Sequence, residues 1–176
     1  MFAVFGKVLT DFAAPDERGH VFADFAEWLR FLVDTIAGTK HLLLVKPHPH
    51  ELRPEIAEPG TQMLRDLLPG ALPANVAFLE HAAFNAYELA DLVDLGFAWN
   101  GTVSVEFPLL GRPIVSESVW AAHDYPIGLE VLSSRAAYAV VLAGEGAVSL
   151  MAETRSRAAA FLRFIRSPDV CISLVM

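Results

Sequence analysis

The stretch Leu42-Leu43-Leu44-Val45-Lys46-Pro47-His48-Pro49-His50-Glu51 decides how the chain is read. Consecutive apolar residues without polar alternation describe a strand buried on both faces, the pattern of a parallel sheet covered on each side. Pro47 and Pro49 end that strand, because neither can donate to a ladder. Each proline fixes its own φ near about −65° and holds the residue before it extended. The strand therefore delivers a cation, two imidazoles and a carboxylate to a stiff turn at its carboxyl end. In open α/β sheets that end is where ligands bind.

A second junction of the same kind lies further along. Phe97-Ala98-Trp99 runs into Asn100-Gly101-Thr102-Val103-Ser104-Val105-Glu106, and the segment closes with Leu110-Gly111-Arg112-Pro113-Ile114-Val115. Around these junctions, strands are expected at residues 2–9, 42–45, 76–79, 95–99 and 113–115. Phe22, Phe25, Trp28, Leu29, Leu32, Val33 and Ile36 recur at helical spacing, and Gly38 suits the cap that follows. Further helices are expected at 61–68, 85–93 and 102–110, the last disturbed by Pro108. Residues 10–20 and 117–128 read as loops. From Ser133 the chain reads as two helical pieces broken at 144–146, the second ending near 165. Strands alternating with helices predict an α/β fold, a Rossmann-like parallel sheet with helices on both faces. The 176 residues fit a single domain, 1–176.

Charge narrows the partners. Thirteen Lys and Arg against 21 Asp and Glu give a net charge of −8. That balance argues against broad nucleic-acid binding, which needs a basic footprint. A locally positive pocket for a small anion remains compatible with it. The single Cys171 forms no internal disulfide and fits a reducing cytosolic compartment. Although 54% of the residues are hydrophobic, no run of about 18 apolar residues predicts a transmembrane segment. The first residues lack the charged region and cleavage site of a secretory signal. The apolar excess reads either as an Ala- and Leu-rich core or as a face awaiting a partner.

At the first junction, His48 is held between two stiff residues. Its imidazole can donate to a phosphate oxygen, or pass a proton to a leaving group. Lys46 offers a point charge to the same anion. The alternative is a surface turn whose Lys46 and Glu51 solvate the rim. His48, His50 and Glu51 also invite a metal reading, because residues two apart in an extended segment point the same way. A closed site wants three or four ligands, and His123-Asp124 is the one other candidate, so no metal is expected.

At the second junction a helix N-terminus attracts negative charge. Gly101 lets backbone approach a ligand. Thr102 either caps the helix or gives its hydroxyl to the phosphate. Glu106 lies four positions later on the same face, where a carboxylate can accept both hydroxyls of a ribose, or simply offset the dipole. Ser104 suits a structural first-turn role. No GxGxxG or GKS/T pattern is present, so neither a dinucleotide fold nor a P-loop ATPase is supported. The two junctions together point to a phosphate-bearing, nucleotide-type ligand.

These segments resemble those of the capsule polysaccharide biosynthesis proteins, bacterial glycosyltransferases of the GT-B type that include Kdo transferases. Lys46 to Glu51 is similar to that family's KPHPxE segment, and Asn100 to Glu106 with Gly111-Arg112-Pro113 to its (S)T-x-x-x-E…G-x-P segment. The resemblance spans roughly residues 22–138. It implies the C-terminal, donor-binding half of a GT-B fold. His48 with Pro49 would contact the donor phosphate and stabilise it as it leaves. Thr102 would bind the same phosphate, and Glu106 the ribose. The donor would be a CMP-activated sugar such as CMP-Kdo, with no further cofactor. Gly101 stands where the family carries the first residue of a Ser-Thr pair, so one hydroxyl is missing or moved to Ser104. The resemblance also implies an acceptor domain, or a partner protein over an apolar face, that brings the catalytic base. Asp11 reads as cleft-facing or, more simply, as a loop cap. A cytoplasmic place, peripheral at the inner membrane, would follow. The competing expectations are a CDP-glycerol glycerophosphotransferase type, a UDP-sugar epimerase type, or a non-catalytic interaction module.

Overall fold

Within the first strand, alternate residues enter different cores. Phe2 and Val4 join one apolar cluster, while Ala3 and Phe5 join another on the opposite face. The computed structural model describes residues 1–9, 17–53 and 61–167. Asp11 and Cys171, with the roles weighed for them above, lie outside the described residues.

The elements are β1 (Phe2–Phe5), α1 (Phe25–Ala37), β2 (Leu43–Lys46), β3 (Val76–Phe78), α2 (Ala86–Leu92), β4 (Leu95–Ala98), α3 (Val103–Leu109), β5 (Ile114–Ser116), α4 (Ala121–Asp124), α5 (Arg135–Leu142) and α6 (Ala152–Ile165). The strands form one parallel sheet in the order β3-β2-β1-β4-β5. Helices α1 and α5 cover one face and α2 and α3 the other, so the chain has the expected Rossmann-like α/β architecture. Helix α6 packs outside α3 through Val105, Ile127 and Ala158. Among the described residues, no helix is long and apolar enough to cross a membrane.

Several boundaries differ from expectation for local reasons. β1 stops at Phe5 rather than running to residue 9, because β2 offers it partners only from Leu43 to Lys46. Gly6 N–H makes one last bond to Lys46 O at 2.8 Å, and the chain then leaves the sheet. α1 begins at Phe25, where Asp24 accepts from Glu27 N–H at 2.8 Å as an N-cap. Phe22 stays in the preceding loop yet is 2% exposed. Residues 61–68 contain only a 3₁₀ turn, Leu64–Leu67, which buries both leucines beside α1.

That preceding loop is tied down by a buried carboxylate. Glu117 accepts from Val21 N–H at 2.6 Å, Phe22 N–H at 3.0 Å and the Tyr138 hydroxyl at 2.6 Å. Burial, and then the Glu117 charge, push the Tyr138 phenol far above its ordinary range. Glu27 on α1 pairs with Arg135 on α5, closing the same face of the sheet.

The strand order has one consequence for a ligand. From β1 the chain steps outward to β2 and β3, then returns to the other side of β1 for β4 and β5. The strand order therefore reverses between β1 and β4, and in open α/β sheets such a reversal places a crevice at the carboxyl edge.

Candidate functional site

A cleft of about 580 Å³ occupies that crevice. Its size lies within the usual range for small-molecule sites, roughly 300–1,000 Å³. Phe5 and Gly6 come from the end of β1, Lys46 to Pro49 from β2, and Asn100 to Val103 with Glu106 from β4 and α3. Residues 81–88, from the loop after β3 into the first turn of α2, complete the lining. The structure thus gathers Lys46, His48, Pro49, Gly101, Thr102 and Glu106 around one space.

His48 is half-buried at the mouth of the 3₁₀ turn Pro49–Leu52. Its Nδ1 accepts from His50 N–H at 3.1 Å. A neutral ring that accepts at Nδ1 carries its proton on Nε2. The His50 ring lies edge-on to it, 4.9 Å away. The His50 N–H and the neighbouring ring therefore both help to orient His48.

Lys46 departs from expectation. Its Nζ donates to three backbone carbonyls: His81 O at 2.6 Å, Ala83 O at 2.8 Å and Glu80 O at 3.3 Å. An ammonium has three donors, so those of Lys46 are spent on the loop that follows β3 rather than on a ligand. The side chain is buried, and burial pushes its pKa below the ordinary value. Lys46 lines the cleft and ties the loop after β3 to the end of β2.

Glu51 also turns inward. It is 1% exposed, and its two oxygens take Leu64 N–H at 2.7 Å and His81 Nε2 at 2.8 Å. It therefore does not solvate the rim. Among the described residues, no three His, Cys, Asp or Glu side chains are grouped to hold a metal.

On the α3 side, Gly101 adopts φ of 122°, and a Cβ there would meet no atom within 4 Å. The constraint on it is conformational rather than one of space. Its N–H donates to Asn100 Oδ1 at 2.8 Å, and Asn100 Nδ2 donates to Asp124 Oδ2 at 2.9 Å. Asp124 on α4 therefore braces the turn. Thr102 occupies the N-cap position, but its side chain makes no capping bond. Glu106 is half-buried, lines the cleft and makes no side-chain hydrogen bond among the described residues. The nearby Tyr125 phenol is pushed up by burial first, then by the charges of Asp124 and Glu106.

Ser104 is the other correction. It is fully buried, its hydroxyl bonded to Ser116 at 3.0 Å, and it does not line the cleft. One helical position past Val103 points it at β5, so it cannot supply the hydroxyl that Gly101 lacks. The sequence analysis reads no site role for His81, Phe84 or Tyr87, and it weighs Asp124 only as a metal ligand beside His123. A signal for His81 existed: Glu80-His81 follows a strand as Lys46-Pro47-His48 does.

No protein-family model matches the chain, and no curated protein matches it either. The chemistry of the cleft is therefore read from its own residues. An imidazole and a hydroxyl on adjoining loops can hold an anion, and a carboxylate one turn into α3 can accept from a diol.

Proposed function

We propose that the cleft binds the phosphate and ribose of an activated nucleotide sugar, and that the chain is the donor-binding half of a capsule-type glycosyltransferase. The observation that carries this reading is the meeting of His48, Thr102 and Glu106 in one cleft at the β1/β4 crevice. They come from two distant segments that resemble the family's donor-binding motifs. His48 Nε2–H and the Thr102 hydroxyl would donate to the phosphate. Glu106 would accept from the ribose hydroxyls. In transfer with inversion, a base removes the acceptor proton while donors stabilise the leaving phosphate. His48 is assigned to the second task, and the base to an acceptor domain or partner protein.

A thermal-shift screen tests the donor class. CMP or CMP-Kdo is expected to raise the melting temperature at about 1 mM, where a ligand 100-fold above its Kd adds about 2.7 kcal/mol. CDP-glycerol and UDP-sugars are expected to do less. A larger shift with either would move the reading to a glycerophosphotransferase or epimerase type. No shift with any of them would remove it.

A further inference from the structure

The part of the cleft lined by residues 81–88 carries two large rings in unusual settings. Phe84 and Tyr87 both line the cleft, and both are exposed, at 45% and 52%. Neither joins a core cluster, and neither faces another aromatic ring among the described residues. Phe84 has φ of 53°, the one positive value among described residues other than glycine. A bulky side chain in that region is strained, and such strain persists only where the surroundings impose it.

Both neighbours of Phe84 impose it. On one side, Ala83 O receives the buried Lys46 ammonium, and Ala83 N–H is bonded to Glu80 O at 3.0 Å. On the other, Asn85 caps α2, accepting from Tyr87 and Glu88 N–H while its own N–H donates to Glu88 Oε2 at 2.8 Å. The chain is pinned on each side of one strained residue. What this arrangement achieves is to stand an exposed apolar ring on the lining of the cleft. Tyr87, on the first turn of α2, extends the same wall.

We propose that Phe84 and Tyr87 form the surface on which the nucleobase of the bound nucleotide stacks. The proposal rests on the phosphate and ribose reading above and adds the third part of the ligand. Every base has a π face, so stacking on aromatic side chains gives affinity with little dependence on base identity. Base identity would then be read elsewhere.

Titrations of CMP and of ribose 5-phosphate, which lacks the base, separate the two claims. CMP is expected to bind the wild-type chain about 10-fold more tightly than ribose 5-phosphate. Phe84→Gly removes the ring and relieves the positive φ, so it should keep its melting temperature while CMP weakens about 10-fold. Tyr87→Leu should weaken CMP in the same direction, and ribose 5-phosphate affinity should stay unchanged in both variants. In the wild-type chain, nuclear Overhauser effects are expected between cytosine H5/H6 and the Phe84 or Tyr87 ring protons. Unchanged CMP affinity in both variants, with His48→Ala weakening both ligands, would overturn the base wall and leave the donor site standing. Loss of stability in Phe84→Gly with unchanged CMP affinity would show a purely structural ring and also overturn it. If neither ligand binds the wild-type chain, the donor reading itself fails and the base wall with it.

Discussion

Lys46 and His48 stand two residues apart on one turn and are put to different uses. The lysine is consumed by carbonyls 80, 81 and 83, whereas the histidine lines the cleft and accepts from His50 N–H. Lys46→Met should therefore leave the carbonyls of 80, 81 and 83 without their charged donor and destabilise the chain by about 1–3 kcal/mol in urea unfolding. A result within about 0.5 kcal/mol of wild type, the range of ordinary surface changes, would show that the clamp is dispensable. Gly101→Ala should cost about 1–3 kcal/mol, because alanine must adopt the φ of 122°. Tyr138→Phe leaves one Glu117 oxygen without its donor and should cost about 1–3 kcal/mol near neutral pH. Its pH dependence follows from the raised phenol. The folded value lies above the ordinary 10.0, so the hydroxyl's contribution is complete below pH 10 and is lost as pH rises beyond it. Wild-type stability should fall relative to Tyr138→Phe by up to about 1.4 kcal/mol per pH unit above pH 10. A difference constant from pH 9 to pH 11 would contradict the assignment. At this scale the sequence showed which residue types were present but not which way they faced. Lys46, Glu51 and Ser104 all bear polar groups at the right junctions, and all three are spent on the protein itself. Their partners at 64, 80–83 and 116 are distant in sequence, so nothing local announced them.

The elements themselves were more legible where a single physical pattern governed them. The apolar stripe of α1 and the uninterrupted run of β2 lie close to where the pattern placed them, although Phe22 stays outside α1 and β2 is Leu43–Lys46 with Leu42 exposed. Ends were harder to read. The apolar residues at 2–9 cannot reveal that β2 supplies only four partners to β1. The leucines at 64 and 67 fit a helix on spacing alone, but that spacing of three serves a 3₁₀ turn equally well, and the turn ends at Leu67. That turn is nonetheless part of the site's support. Glu51 joins it, through Leu64 N–H, to His81 on the loop after β3. Glu51→Gln keeps the shape but removes the charge that faces His81. It should lower stability by about 1–3 kcal/mol and weaken nucleotide binding, although Glu51 does not line the cleft. Unchanged stability and affinity would mean that the β2 and β3 loops hold their positions without it.

For the whole molecule, strand order is the property that makes a site, and it depends on crossovers that no local pattern records. The order β3-β2-β1-β4-β5 puts the reversal between β1 and β4, and the cleft lies there. The high apolar content is explained in part by the same architecture, because both faces of the sheet and the outer face of α3 are packed. The net charge of −8 coexists with a cleft lined by Lys46, His48 and His81. The central claim is that this cleft holds a nucleotide with its phosphate between the β2 and β4 loops. Amide chemical-shift mapping during a CMP titration tests it most directly. The account predicts saturable shifts concentrated at His48, His50, Gly101 to Val103 and Glu106, with Glu106→Gln reducing affinity by about 1.5–3 kcal/mol, the worth of hydrogen bonds to a charged group. Shifts centred elsewhere, or none at about 5 mM CMP, weaker than the roughly −4.1 kcal/mol of a 1 mM complex, would contradict it.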